Sequence, residues 1–232
     1  MTRKVMAHAT VSSELPLKRF ERAPRNASIA IGVLCGVGLI AVVGGLLTDA
    51  ERAWRAYLVN WLYFSSISMG AVMLAVIVTI TRGLWSRPIR RIALSFVAFL
   101  PISYLLLLPL LFASSDIFPW LHEPLPAGKE AYLNVPFLAF RQLVALGALY
   151  IMAFVFAYWS LRPDIGLARD HSNERLRGLY DRFTRNWEGQ EIEESKAYKK
   201  IAVLGPIIAL LYAVAFSLVA WDFVMSLEPH WF

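Results

Sequence analysis

The stretch Pro136–Leu161, PFLAFRQLVALGALYIMAFVFAYWSL, carries a single charged residue, Arg141. A helix rises about 1.5 Å per residue, so about 20 apolar residues cross a hydrocarbon core about 30 Å thick, and this run is longer than that. Four more runs meet the same test: Ala27–Leu47, Tyr57–Thr81, Ala93–Ser114 and Ile201–Phe223. None shows the alternation of a barrel strand, and helices satisfy their backbone groups within the segment. The expected fold class is therefore all-α integral membrane, with five transmembrane helices. Ala27–Leu47 exceeds a signal-peptide core of about 7–15 residues and is read as a retained anchor.

Composition agrees. Of the 232 residues 58% are hydrophobic and only 17% charged, against about 25% charged in a soluble domain. The net charge of +6 does not point to nucleic acid, because the basic residues flank the apolar runs. They also alternate. Arg3, Lys4, Lys18, Arg19, Arg22 and Arg25 precede the first run; Arg82, Arg87, Arg90 and Arg91 follow the second; the gap after the fourth runs from Arg162 to Lys200 with many more. The other gaps hold only Arg52, Arg55 and Lys129. The positive-inside rule then gives a cytoplasmic N-terminus and an outward C-terminus.

Several finer expectations follow. Gly32, Gly36 and Gly44 form a ladder suited to close helix packing. Pro101 and Pro109 predict bends in the third span. In the long cytoplasmic gap Leu176, Leu179, Tyr180, Phe183 and Trp187 recur at helical spacing, predicting an amphipathic helix on the membrane surface or on a partner. Glu188 to Glu194 reads as solvated loop. Most tryptophans, Trp54, Trp61, Trp85, Trp120, Trp159, Trp221 and Trp231, fall near span ends as an aromatic belt.

Chemistry-bearing residues are few. His8, His122, His171 and His230 all lie outside the spans, and Cys35 is the single cysteine, so neither haem nor metal nor a disulfide is expected in this chain. No Asp, Glu or Lys occupies mid-span, so a proton path would need waters, hydroxyls or a partner. Polar residues gather at the outer end: Asn60, Asp116, Arg141 and Asp222, with His122 and Glu123 in the adjoining loop. In one reading Arg141 snorkels or pairs with Asp222 or Asp116 and pins helices together. In the other the cluster is the polar end of a quinone pocket, with Arg141 or Asn60 bonding a carbonyl and a carboxylate taking a proton. No catalytic residue is assigned.

Two stretches carry a family likeness. One is Tyr57-Leu58-Val59-Asn60-Trp61-Leu62-Tyr63-Phe64 running into Ser68-Met69-Gly70-Ala71, then Trp85-Ser86 and Arg90-Arg91. The other, more specific, is Trp221-Asp222-Phe223-Val224-Met225-Ser226-Leu227-Glu228-Pro229-His230-Trp231-Phe232. Together they resemble the ActF-type integral membrane subunits of bacterial alternative complex III, a quinol:electron-acceptor oxidoreductase, related to NrfD/PsrC-like membrane proteins.

The charge asymmetry makes 1–26 a cytoplasmic segment; the resemblance implies that the first span, within 27–56 with an outer loop, is an added peripheral helix and that 57–223 is a four-helix NrfD-like bundle. The bundle includes a cytoplasmic loop at 162–200, and an outward-facing motif follows at 224–232. It implies an ActC-type second membrane subunit, an ActB-type iron–sulfur subunit and multihaem cytochrome c subunits as partners, these carrying the iron–sulfur clusters and c-type haems. ActF-type chains carry a second bundle, which either a longer chain or a separate one would supply. The implied role is a scaffold of the membrane domain in the bacterial cytoplasmic membrane, with proton translocation as a further role. Quinone or menaquinone is the substrate of the complex, the quinol site being associated with the ActC-type subunit. Direct quinol binding at the outer cluster and half of an unrelated transporter are the alternatives.

Overall fold

The computed structural model describes residues 24–83, 87–122, 128–169 and 174–228. Expectations placed on residues 1–23, Trp85 and Ser86, Glu123, His171 and 229–232 lie outside these described residues. Every regular element described is a helix. The protein is all-α, and five helical segments are long and apolar enough to cross a membrane: Arg25–Thr48, Ala50–Ile80, Ile89–Phe112, Val135–Arg169 and Gln190–Leu227.

The chain divides into two units, residues 1–39 and 40–232. The first holds most of α1 (Arg25–Thr48), a continuous helix with no buried residue. The second begins with α2 (Ala50–Ile80), followed by a broken third span. That span is α3 (Arg87–Ser95), a 3-10 turn at Phe96–Phe99 and α4 (Leu100–Phe112). A short α5 (Ser114–Ile117) and a 3-10 turn at Pro119–Leu121 lead toward α6 (Val135–Arg169). Then come α7 (Glu174–Phe183), α8 (Gln190–Phe223) and a last 3-10 turn at Met225–Leu227.

The break in the third span sits where proline chemistry puts it. Pro101 has no N–H for the Val97 carbonyl, and the chain tightens to 3-10 just before it. Pro109 lies inside α4, where it loosens the carbonyls one turn back. Side chains of α2 meet α4 carbonyls in this region: Tyr57 Oη donates to Leu106 O at 3.0 Å and Trp61 Nε1 to Ser103 O at 2.9 Å. These bonds fasten α2 to α4 beside the break.

Helices outrun their apolar cores. The second span was expected from Tyr57, but α2 starts at Ala50. Asp49 accepts the Arg52 N–H at 3.1 Å as its cap, and Glu51 pairs with Arg55 one turn on, so most of the expected outer loop is helix. At the other end α6 continues to Arg169 and α8 begins at Gln190. Much of the expected loop at 162–200 is thus helical, and the solvated-loop reading of Glu188–Glu194 is corrected from Gln190 onward.

The chain runs antiparallel through these spans, so α2 and α6 begin at the end where α4 and α8 finish. Buried positions on α6 form one stripe, Leu138, Gln142, Leu146, Leu149, Ala153 and Phe156, at helical spacing. The stripe joins a core with Met69 and Val72 of α2, Leu100 and Leu107 of α4 and Ile208 of α8. The outer faces are just as apolar, with Phe64, Ile67 and Leu74 of α2 and Val203, Leu210 and Val214 of α8 exposed. Apolar inside and outside together suit a bundle whose solvent is lipid.

Candidate functional site

Arg141 stands in the second turn of α6, started by Asn134, whose Oδ1 accepts the Phe137 N–H at 2.9 Å. Asp222 stands in the last turn of α8, and the antiparallel pairing sets the two side by side. Arg141 Nε donates to Asp222 Oδ2 at 2.7 Å and Nη2 to Oδ1 at 2.6 Å, a bidentate pair. Its remaining Nη1 donates to the Tyr132 carbonyl at 2.9 Å. The Tyr132 ring lies 3.8 Å from the guanidinium carbon and the Phe137 ring 4.8 Å, so aromatic faces cover the cation.

Asp222 is fully buried and fully engaged. Besides Arg141 it accepts from Gln142 Nε2 at 2.5 Å and from Tyr132 Oη at 3.0 Å. Two donors on each oxygen fill the roughly four lone-pair sites a carboxylate offers. Tyr132 lies in the turn ahead of α6. Its burial, and then the neighbouring Asp222 carboxylate, push its phenol up to about 12. The cluster can hold two helices together. It has no free carboxylate lone pair with which to take a proton.

Of the expected cluster, Arg141 and Asp222 are brought together. Asn60 is not part of it: it is exposed, and its Nδ2 donates to Ala56 O at 2.8 Å within its own helix. Asp116 is exposed on α5 and its side chain joins no ion pair among the described residues. His122 is exposed, with Nε2 2.9 Å from the Ser115 carbonyl. Tyr132 and Gln142 were missed. Gln142 carried a signal, an amide inside a span beside its only charge; Tyr132, in a turn, carried none.

A second clamp was also missed. Arg162 Nε and Nη2 donate to Glu193 Oε2 and Oε1 at 2.7 and 3.1 Å, both residues buried. The same guanidinium reaches Tyr158 Oη at 2.5 Å, Phe183 O at 3.2 Å and Arg185 O at 3.1 Å. It thereby supplies donors to carbonyls at the end of α7, which an isolated helix leaves without partners. The sequence signal was the α8 stripe Ile201, Gly205, Ile208, which extends backward through Ala197 to Glu193.

The clamps have a defined spacing. Arg141 and Arg162 are about 21 residues apart on α6, roughly 32 Å of helix, close to the hydrocarbon thickness of about 30 Å. Glu193 and Asp222 are about 29 residues apart on α8, roughly 43 Å. The two acids are thus set about 12 Å farther apart along α8 than the two arginines are along α6, a difference the long arginine side chains span between them. Midway, Ser65 Oγ and Ser103 Oγ lie 2.6 Å apart and Ser103 Oγ and Tyr150 Oη 3.1 Å apart, all buried. Trp120 Nε1, Gln142 Oε1 and Ser160 Oγ are buried without a hydrogen-bond partner. Among the described residues no group of three or more His, Cys, Asp or Glu is placed to hold a metal ion.

These features define a multi-pass, all-α membrane protein whose α6 and α8 are joined by a buried arginine–carboxylate clamp toward each end. No protein-family model matches the chain, and no curated protein matches it.

Proposed function

We propose that this chain is a membrane-domain subunit of a quinol:electron-acceptor oxidoreductase of the alternative complex III type, acting mainly as scaffold. The observation that carries the reading is how Trp221–Leu227, within the stretch most like ActF-type subunits, is used. Asp222 closes the clamp on α6, Phe223 packs between Trp61 and Phe118 at ring distances of 5.3 and 6.0 Å, and Ser226 Oγ donates to the Asp222 carbonyl. Asp222 and Phe223 hold helices together, and Ser226 closes the end of α8. Saturation of Asp222 favours scaffold over quinol chemistry at this cluster, because a quinol proton would have no lone pair there to move to.

In this reading the protein resides in the bacterial cytoplasmic membrane, N-terminus inside and C-terminus outside, as the Lys and Arg asymmetry supports. ActC-type, ActB-type and cytochrome c subunits carry quinone or menaquinone, iron–sulfur clusters and haems, and a second bundle completes the membrane domain. A contribution to proton translocation is the second reading. It is favoured by the buried Ser65–Ser103–Tyr150 hydroxyls, the hydrogen-bonding groups a path through mid-bundle requires.

Gentle detergent purification of the native protein, with mass spectrometry and a visible spectrum, tests the assignment. Co-purifying c-haem bands and an iron–sulfur subunit are expected; a colourless preparation without such subunits overturns it. Ser103→Ala then separates the two readings: a lower proton-to-electron ratio at unchanged electron transfer identifies translocation, and an unchanged ratio leaves scaffold alone.

A further inference from the structure

The α7 segment has a face that the rest of the fold leaves uncovered. Leu179, Arg182 and Phe183 stand at i, i+3 and i+4, share one side of the helix and are all exposed. Tyr180 is half-buried and Thr184 buried, so the other side supplies the attachment. The depth of that attachment is set by the bonds to Phe183 O from Arg162 and from Tyr158 Oη, the latter at 3.4 Å. Tyr158 and Arg162 are one turn apart at the end of the apolar run of α6, where Trp159 also lies. The C-terminal end of α7 is therefore held level with the edge of the hydrocarbon layer, with Leu179 uncovered there and Phe183, one side of its ring against Tyr158 at 5.9 Å, partly so.

Charge narrows the occupant. Around this end Arg91 is paired with Asp164, Arg162 with Glu193 and Lys196 with Glu188. Arg177, Arg182 and Arg185 are exposed, and their side chains join no ion pair among the described residues. Apolar side chains beside unpaired arginines, at interface depth, are the pattern of a helix lying in a layer of anionic headgroups. We infer that α7 is an interfacial helix that docks on anionic phospholipid, with Leu179 and Phe183 at the acyl boundary and Arg177, Arg182 and Arg185 on lipid phosphates. This holds whether or not the proposed complex is correct.

The test is the depth of a nitroxide at position 179. Cys35 is the only cysteine, so the purified full chain carries Cys35→Ala and Leu179→Cys, in nanodiscs of phosphatidylcholine alone or with phosphatidylglycerol replacing a third of it. Oxygen against a water-soluble nickel chelate reports depth, with a label at Glu191 as the aqueous standard. With phosphatidylglycerol, position 179 is expected at or below phosphate level. Arg182→Gln and Arg185→Gln should move it outward, the inserted fraction falling on the order of fivefold per arginine, equivalent to about 1 kcal/mol each. A label as accessible to nickel as Glu191 in both lipids overturns the inference and leaves a protein partner as the occupant. Insertion indifferent to phosphatidylglycerol and to both arginines refutes the anionic specificity.

Discussion

Replacing Arg141 by methionine removes the guanidinium but keeps a side chain that packs beside Tyr132 and Phe137. Asp222 then stays fully buried with two donors, Gln142 and Tyr132, where it had four. Breaking one partner of a buried pair costs about 3–5 kcal/mol, because the remaining charge has lost its counter-ion. Two hydrogen bonds to a charged acceptor, at about 1.5–3 kcal/mol each, give a range of the same order. Replacing both partners, Arg141→Met with Asp222→Leu, removes the stranded charge as well, and such exchanges are often neutral or stabilising by about 1–4 kcal/mol. The double variant should therefore be more stable than the Arg141→Met single, a coupling of about 2 kcal/mol or more. Unfolding in mixed micelles by increasing dodecyl sulfate, followed by tryptophan fluorescence, reads all four corners of the cycle. An Arg141→Met cost below about 1 kcal/mol would show that the pair is not the buried clamp described, since that cost belongs to exposed pairs. If the double variant folds and assembles but electron transfer stops, the pair takes part in chemistry and the scaffold reading fails.

Three further outcomes follow from the packing. A Cβ on Gly166 would lie 2.0 Å from Trp187 Cη2, so Gly166→Ala should displace the indole; a red-shifted emission component and faster proteolysis at 186–189 are expected, and an unchanged spectrum contradicts the contact. Tyr57→Phe removes the hydroxyl on Leu106 O near Pro109 and should cost about 1 kcal/mol in the same unfolding assay, whereas Tyr63→Phe on the exposed face should cost nothing measurable. Tyr132 has its phenol raised from an ordinary 10.0 to about 12, so its stabilising contribution is complete below pH 10 and is lost as pH rises toward 12. Tyr132→Phe should flatten the alkaline loss of stability over that window; an identical pH profile would remove Tyr132 from the network.

How much of this could be read from the residues differs by level. The spans were legible because bilayer thickness sets a minimum apolar length, and Pro136–Leu161 or Ile201–Phe223 cannot satisfy it by accident. Helix ends were not, because apolar length measures lipid and a capped helix continues into water, as α2 does back to Asp49. Pairing of Arg141 with a carboxylate was legible as a choice between Asp222 and Asp116. Asn60 was misplaced because depth was read without helix face. Buried positions on α2 run Leu58, Trp61, Ser65, Ser68, and residue 60 falls off that stripe. Glu193 was misread for the opposite reason: its acidic neighbours Glu191 and Glu194 are exposed, and only its place on the Ala197–Ile201 stripe marks it as internal.

Both clamps use arginines of α6 and acids of α8, and that arrangement explains why ionic groups persist in so apolar a bundle. In water, a shift of one helix along another exposes core residues and is penalised. In lipid the outside is as apolar as the inside, so packing alone penalises a shift far less. Sliding α8 along α6 by one turn, about 5.4 Å, would shift each carboxylate relative to its guanidinium. Because the acids stand farther apart along α8 than the arginines do along α6, a slide that shortened one reach would lengthen the other. Two opposed clamps therefore fix a register that neither could fix alone, consistent with the best-attested use of buried polar groups, specifying alignment more than adding stability. The register in turn sets where the Ser65–Ser103–Tyr150 hydroxyls stand between the two ends, and it holds the turn after α7 at the depth from which Leu179 and Phe183 meet the bilayer.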